Sequence, residues 1–195
     1  MSNHSLDHLI ALSSSLNNIR DIETRGCEDH RLAAVLILAM PGENGAELLL
    51  TKRSDALPNH AGQISFPGGA CESQDDSLID TALREAREEV GIQTGNIDIL
   101  GTLDMTLLPS GFAVLPVVAV VGETPVLKPD PAEVAEIFTL PLEKVSHPDS
   151  FKQDSYDRNG FKREFYYIEY KEYYIWGATA GMLHKLASLW QEVHH

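Results

Sequence analysis

Apolar residues recur along the chain in two rhythms. Leu78, Ala82, Leu83, Ala86 and Val90 fall at three- and four-residue spacing, which predicts an amphipathic helix ending at Gly91, where a C-cap glycine belongs. Ala180, Met182, Leu183, Leu186, Leu189 and Trp190 form a second helical stripe from Ala178 to Val193. Leu6, Ile10, Leu12 and Leu16 form a looser one, giving an N-terminal helix over about 5–22. Between them lie short apolar runs bounded by Pro, Gly and Asp, which read as strands: Arg31–Met40, Ala46–Thr51 after the turn Pro-Gly-Glu-Asn-Gly, Ile97–Thr102, Ala113–Val121 and Val134–Leu140. From Gln63 the run GQISFPGG is a short extended segment, Pro141 to Val145 fits a Pro-initiated helix, and Tyr166–Tyr170 with Glu172–Trp176 fits a hairpin. Strands interleaved with two principal helices predict an α/β layer sandwich with a mixed sheet.

A chain of 195 residues, 43% hydrophobic, fits one core, so a single domain is expected over 1–195, with its core over about 31–195. Fifteen Lys+Arg against 29 Asp+Glu leave a net charge of −14, which repels nucleic acid and anionic membranes. A small-molecule substrate is the expected partner, with no nucleic acid and no membrane; the oligomeric state stays open, a homodimer included. If that substrate carries phosphate, the same charge calls for divalent cations or a local Arg/Lys pocket at the site. The N-terminus lacks a basic, then apolar, signal pattern, and no run reaches the ~18 apolar residues of a membrane span, so a cytoplasmic location is expected. Cys27 and Cys71 read as ordinary reduced thiols.

Within the first predicted helix, Glu85, Glu88 and Glu89 stand at i, i+3 and i+4, on one face within about 100° of arc. Such carboxylates repel one another; a bridging cation relieves the repulsion and uses them as hard oxygen ligands, whereas a solvated charge-rich face supported by Arg84 and Arg87 is the plain alternative. Just before the helix, Phe66-Pro67-Gly68-Gly69 forms a glycine turn that can bring backbone amides to a phosphate.

In this order, turn, loop and carboxylate helix resemble a Nudix box: G, five residues, E, seven residues, then R-E-U-x-E-E-x-G-U, with U apolar. The second half reads Arg84, Glu85, Ala86, Arg87, Glu88, Glu89, Val90, Gly91, Ile92. In the first half Gly69 lies one residue too far from Arg84. Counting back from Arg84 puts the earlier acidic position on Asp76, with Asp75 and Glu72 as alternatives. Upstream, Leu49-Leu50-Thr51-Lys52-Arg53-Ser54, then Gly62 and Phe66-Pro67-Gly68-Gly69, resembles the signature of the CoA-pyrophosphatase subfamily, except that the signature's second arginine is Pro58. Tyr174-Ile175-Trp176-Gly177-Ala178-Thr179-Ala180 is similar to that subfamily's closing strand and helix start.

The resemblance implies a Nudix-type α/β/α sandwich and a Mg²⁺- or Mn²⁺-dependent hydrolase, with CoA or a CoA derivative cut to 3′,5′-ADP and 4′-phosphopantetheine. It implies Glu85, Glu88 and Glu89 as metal ligands, with Glu88 or Glu89 doubling as the base unless Glu133 or Glu136 serves. Arg84 orients a carboxylate. Arg53 and Lys52 are the candidates for phosphate contact, Gly68 and Gly69 for backbone approach, and His60, Gln63 and Ser65 for lining the pocket. The competing expectations are a Nudix hydrolase of another nucleoside diphosphate derivative, and a Nudix-fold binding module without catalysis.

Overall fold

The computed structural model describes residues 4–20, 22, 24, 26–158 and 160–194. Its centre is an eight-stranded mixed sheet built from β1 (Arg31–Gly42), β2 (Gly45–Arg53), β3 (Ile64–Ser65), β4 (Gly68–Ala70), β5 (Ile97–Thr102), β6 (Thr106–Leu107), β7 (Phe112–Val121) and β8 (Val134–Pro141). Only β1 and β7 pair in parallel; the other ladders are antiparallel. Three helices flank the sheet: α1 (His4–Ala11), α2 (Leu78–Val90) and α3 (Gly177–His194).

Period-two alternation sorts the strand side chains between two layers. Ala34, Leu36, Leu38 and Met40 of β1 pack with Leu78, Ala82, Ala86 and Val90 of α2. Ala33, Ile37 and Ala39 join the opposite core with Leu6 and Leu9 of α1 and Ala180, Leu183 and Leu186 of α3. The expected α/β/α sandwich is therefore present. No described helix is long and apolar enough to cross a membrane.

Two departures from the sequence reading matter for the site. Strand β1 runs through Pro41 to Gly42 and pairs Gly42 with Gly45, so the turn is the two residues Glu43 and Asn44. Beyond this hairpin β1 and β2 diverge. β3 pairs with β2 at Thr51 and Lys52, and β4 pairs with β1 at Ala33 to Val35, both on the side where the two long strands face each other. The Phe66–Gly69 turn thus occupies the gap between splayed strands, held by the Leu36 N–H donating to the Pro67 carbonyl at 2.8 Å.

The N-terminal helix is shorter than the expected 5–22. It ends at Ala11 and is followed by a tight turn over Leu12–Ser14. Asn17 then bridges to Thr102, their backbones exchanging bonds of 3.0 and 3.1 Å, and Leu16 packs over Gly101. Those polar groups are satisfied across the sheet edge, so nothing favours continuing the helix. A second, three-stranded sheet comprises β9 (Lys152–Arg158), β10 (Phe161–Tyr170) and β11 (Tyr173–Trp176). The expected hairpin is its β10–β11 pair.

Candidate active site

Helix α2 starts where Ser77 accepts a hydrogen bond from the Asp80 N–H at 3.1 Å, and stops at Gly91, whose φ of 67° suits glycine. Its C-terminal carbonyls are capped from outside, because Lys128 N–H donates to Val90 and Asp130 N–H to Glu89, each at 2.9 Å. This fixes the end of the helix that carries the glutamates.

Arg84 is the hub. Nε and Nη2 reach the two oxygens of Asp75 at 2.8 and 3.0 Å, Nη2 also donates to the Ala70 carbonyl at 3.0 Å, and Nη1 donates to Glu85 and Glu88, each at 2.9 Å. All five guanidinium donors are thereby used. Asp75 also accepts from Thr81 Oγ1 and from the Glu72 N–H, both at 2.9 Å. The Arg84 guanidinium, with these bonds, holds the Asp75 carboxyl well below the usual range. Arg84 thus ties three carboxylates together, those of Asp75, Glu85 and Glu88. The earlier acidic residue it binds is Asp75, while Asp76 is exposed. Counting forward from Gly69 finds Asp75, so the extra residue lies between Asp75 and Arg84, where loop insertion costs little.

Glu89 lies on the sheet side of α2 with its side chain 3% exposed. Its Oε2 accepts from the Gly68 N–H at 3.3 Å, and its Oε1 is 3.7 Å from Arg53 Nη1. Burial outweighs these contacts and pushes its pKa up to about 8. Burial also raises Glu85, against the pull of Arg84. Glu133 adds negative potential at both. Its backbone explains this placement, since the Ser54 N–H donates to the Glu133 carbonyl at 2.8 Å, bringing the Asp130–Glu133 turn beside Arg53.

The glycine turn faces the carboxylates. The Gly68 N–H serves Glu89, and a Cβ on Gly68 would collide with the Ala34 carbonyl oxygen and Val35. A Cβ on Gly69 would lie 2.5 Å from Glu85 Oε1, so any side chain there would push that carboxylate out of its position. The other expected site residues are dispersed. Lys52 pairs in register with Glu136, on the face that Leu48 and Leu50 share with α3. Glu136 there accepts from Tyr173 OH at 2.6 Å, which places both residues across the sheet from Glu89. His60 and Gln63 bond each other at 2.8 Å in the loop over 54–63, where Pro58 is exposed, and Ser65 Oγ sits 3.3 Å from Thr51 Oγ1. A cavity of about 410 Å³ bounded by Asn17, Cys27, Asp104 and Leu115 is lined by none of these residues.

The donor chemistry suits a hard divalent cation: Glu85 and Glu89 carry carboxylate oxygens whose burial is opposed by their own charge, and Gly69 leaves space beside them. Among the described residues no three His, Cys, Asp or Glu side chains are gathered into a finished cage, since Glu85 and Glu88 both turn toward Arg84.

Comparison with known proteins decides the family. The NUDIX domain model matches residues 30–160. NudL of Pectobacterium atrosepticum, described as an uncharacterized Nudix hydrolase, is 40% identical over 165 residues, covering 84% of each chain. The chain belongs to the Nudix hydrolase family. NudL of Photorhabdus laumondii is also 40% identical, covering 82% of this chain and 85% of its own. The Nudix hydrolase RenU of M. smegmatis shares the fold at TM-score 0.50 and 22% identity, over 60% of this chain and 74% of its own. As a Nudix hydrolase the protein acts on phosphorus-containing anhydrides, a family chemistry that generally uses divalent metals.

Proposed function

We propose that this Nudix hydrolase cuts the diphosphate of CoA or a CoA derivative, releasing 3′,5′-ADP and 4′-phosphopantetheine or its acyl form, with Mg²⁺ or Mn²⁺. The observation that carries this reading is Arg53. It is the arginine of Leu49-Leu50-Thr51-Lys52-Arg53-Ser54, it stands 3.7 Å from Glu89, and its Nε is buried without a hydrogen-bond partner among the described residues. An unsatisfied buried donor costs about 1–3 kcal/mol. A phosphoryl oxygen beside Glu89 meets Arg53 at the 27% of its side chain that stays exposed.

Glu85, Glu88 and Glu89 are the residues that would hold the ion, which would supply charge neutralisation at the phosphoryl oxygens and a more acidic water. Arg53 orients the diphosphate, Arg84 and Asp75 keep Glu85 and Glu88 aimed, and the Gly68 N–H fixes Glu89. Glu89 takes the proton of the attacking water. The new bond joins water oxygen to phosphorus, and the leaving phosphate departs with the electrons of the broken P–O bond.

Pro58 favours a second reading, hydrolysis of another nucleoside diphosphate derivative, because the loop over 54–63 contains no Lys or Arg. A substrate panel of CoA, acetyl-CoA, ADP-ribose and a diadenosine polyphosphate separates the two. The CoA reading requires the highest kcat/KM on a CoA species and its loss in Arg53→Ala; a higher kcat/KM on ADP-ribose sinks it.

A further inference from the structure

All six tyrosines of the chain lie between Tyr156 and Tyr174, in the β9–β10–β11 sheet. One face of this sheet is accounted for: Tyr166, Ile168, Tyr170, Tyr173 and Ile175 pack into the core beside α3, with Tyr166 stacked on His184 at 3.9 Å. The other face carries Tyr156, Phe165, Tyr167, Tyr174 and Trp176. Their rings form a continuous cluster, with centroid distances of 5.9 Å for Tyr156–Phe165, 5.5 Å for Phe165–Trp176, 6.4 Å for Phe165–Tyr167 and 5.1 Å for Tyr167–Tyr174. Tyr156, Tyr174 and Trp176 remain 39, 44 and 38% exposed. Nothing in the reaction uses them.

Charge selects the occupant. Residues 152–176 contain five Lys/Arg and five Asp/Glu, net zero, so the whole −14 resides on the rest of the chain. A neutral face exerts no pull on an anionic nucleotide, and the chain as a whole repels nucleic acid. It is, however, a surface on which two copies, each at −14, can meet without opposing like charge. Its polar groups are of both signs, with Lys152 2.7 Å from Glu169 and Asp154 opposite Phe165, a mixture that a two-fold contact can match to itself. Three strands about 4.8 Å apart and some 20 Å long give roughly 300 Å² in projection, and about 600 Å² of accessible surface with side chains. Two such faces bury about 1,200 Å², the lower edge of stable interfaces.

We propose that the outer face of the β9–β10–β11 sheet is the contact through which two copies of this chain form a two-fold dimer. Core-like aromatic burial drives it, while the charge elsewhere opposes it. Screening that charge with salt therefore tightens the dimer, the reverse of an association held by ion pairs.

Sedimentation velocity from about 1 to 100 µM protein, at low and high NaCl, tests this on the full chain, Tyr174→Glu and Tyr156→Glu. Both substitutions are at exposed positions on different strands, so circular dichroism and Tm should hold. The expected result is a species of twice the 21.5 kDa chain mass, favoured by salt, and a loss of affinity on the order of tenfold or more in each variant. A chain that stays monomeric at about 100 µM, a dimer that salt dissociates, or a dimer unaffected by both substitutions overturns the proposal. So does a monomer whose tryptophan fluorescence is quenched by ADP, which would make the face a stacking platform for nucleotides.

Discussion

Replacing Asp75 by Asn tests the Arg84 hub most sharply, because counting back from Arg84 points instead to Asp76. The Asp75 and Arg84 side chains are 3 and 9% exposed. Neutralising one partner of a buried pair costs about 3–5 kcal/mol. Arg84 keeps Glu85, Glu88 and the Ala70 carbonyl, which puts the loss near the lower end, about 3 kcal/mol. At roughly 2–4 °C per kcal/mol for a chain of this size, Asp75→Asn lowers Tm by about 6–12 °C. Asp76→Asn, at an exposed position, changes it little. The Asp75 carboxyl is depressed in the folded state, so its stabilisation is complete above its unfolded pKa and disappears as the pH falls toward the folded one. The Tm gap between wild type and Asp75→Asn is thus constant from pH 5 to 8 and closes below about pH 4. Scanning calorimetry of the metal-free protein reads it. Because Arg84 also aims Glu85, kcat or metal affinity drops about 10–100-fold. An Asp76→Asn variant that melts as low as Asp75→Asn, or lower, refutes the assignment.

Glu89→Gln removes a buried charge. The folded pKa of Glu89, about 8, lies above its unfolded value, so the stability linked to it is complete below about pH 4.3 and is lost as pH rises through 8. In EDTA the variant is therefore more stable than wild type by up to about 5 kcal/mol at pH 8.5 and equal to it at pH 4, as denaturant titration shows; equal stability at both pH values contradicts this. Gly69→Ala puts a methyl against the Glu85 carboxylate, so it lowers kcat by about tenfold or more while leaving Tm within a few degrees; unchanged kinetics would show that Glu85 has other room. Glu136→Gln, across the sheet and bonded to Tyr173, leaves kcat within about twofold, whereas removal of a general base costs about 10²-fold or more.

Long apolar periodicities make much of this fold legible in the sequence. Strand β5 has the expected bounds, and α2 runs from Leu78 to the left-handed Gly91. Strand β9, Lys-Gln-Asp-Ser-Tyr-Asp-Arg, was invisible because it has no apolar alternation and exists through its ladder with β10. The two- and three-residue strands β3, β4 and β6 are likewise set by backbone partners. In the site, Glu85, Glu89, Arg84 and Arg53 were legible from motif spacing. Asp75 was obscured by the single inserted residue, which makes forward and backward counting disagree. Lys52 looked equivalent to Arg53 as a neighbouring cation. Strand alternation puts it on the other face, where it stands in register with Glu136.

The most direct measurement is chromatography of CoA incubated with the purified protein, with and without Mg²⁺ or Mn²⁺, alongside Glu89→Gln. Appearance of 3′,5′-ADP and 4′-phosphopantetheine only with metal, and its disappearance in Glu89→Gln, is the expected result. Intact CoA under conditions in which another diphosphate is cut contradicts the CoA assignment. Metal-independent cleavage, or full activity in Glu89→Gln, contradicts the role given to the carboxylate helix.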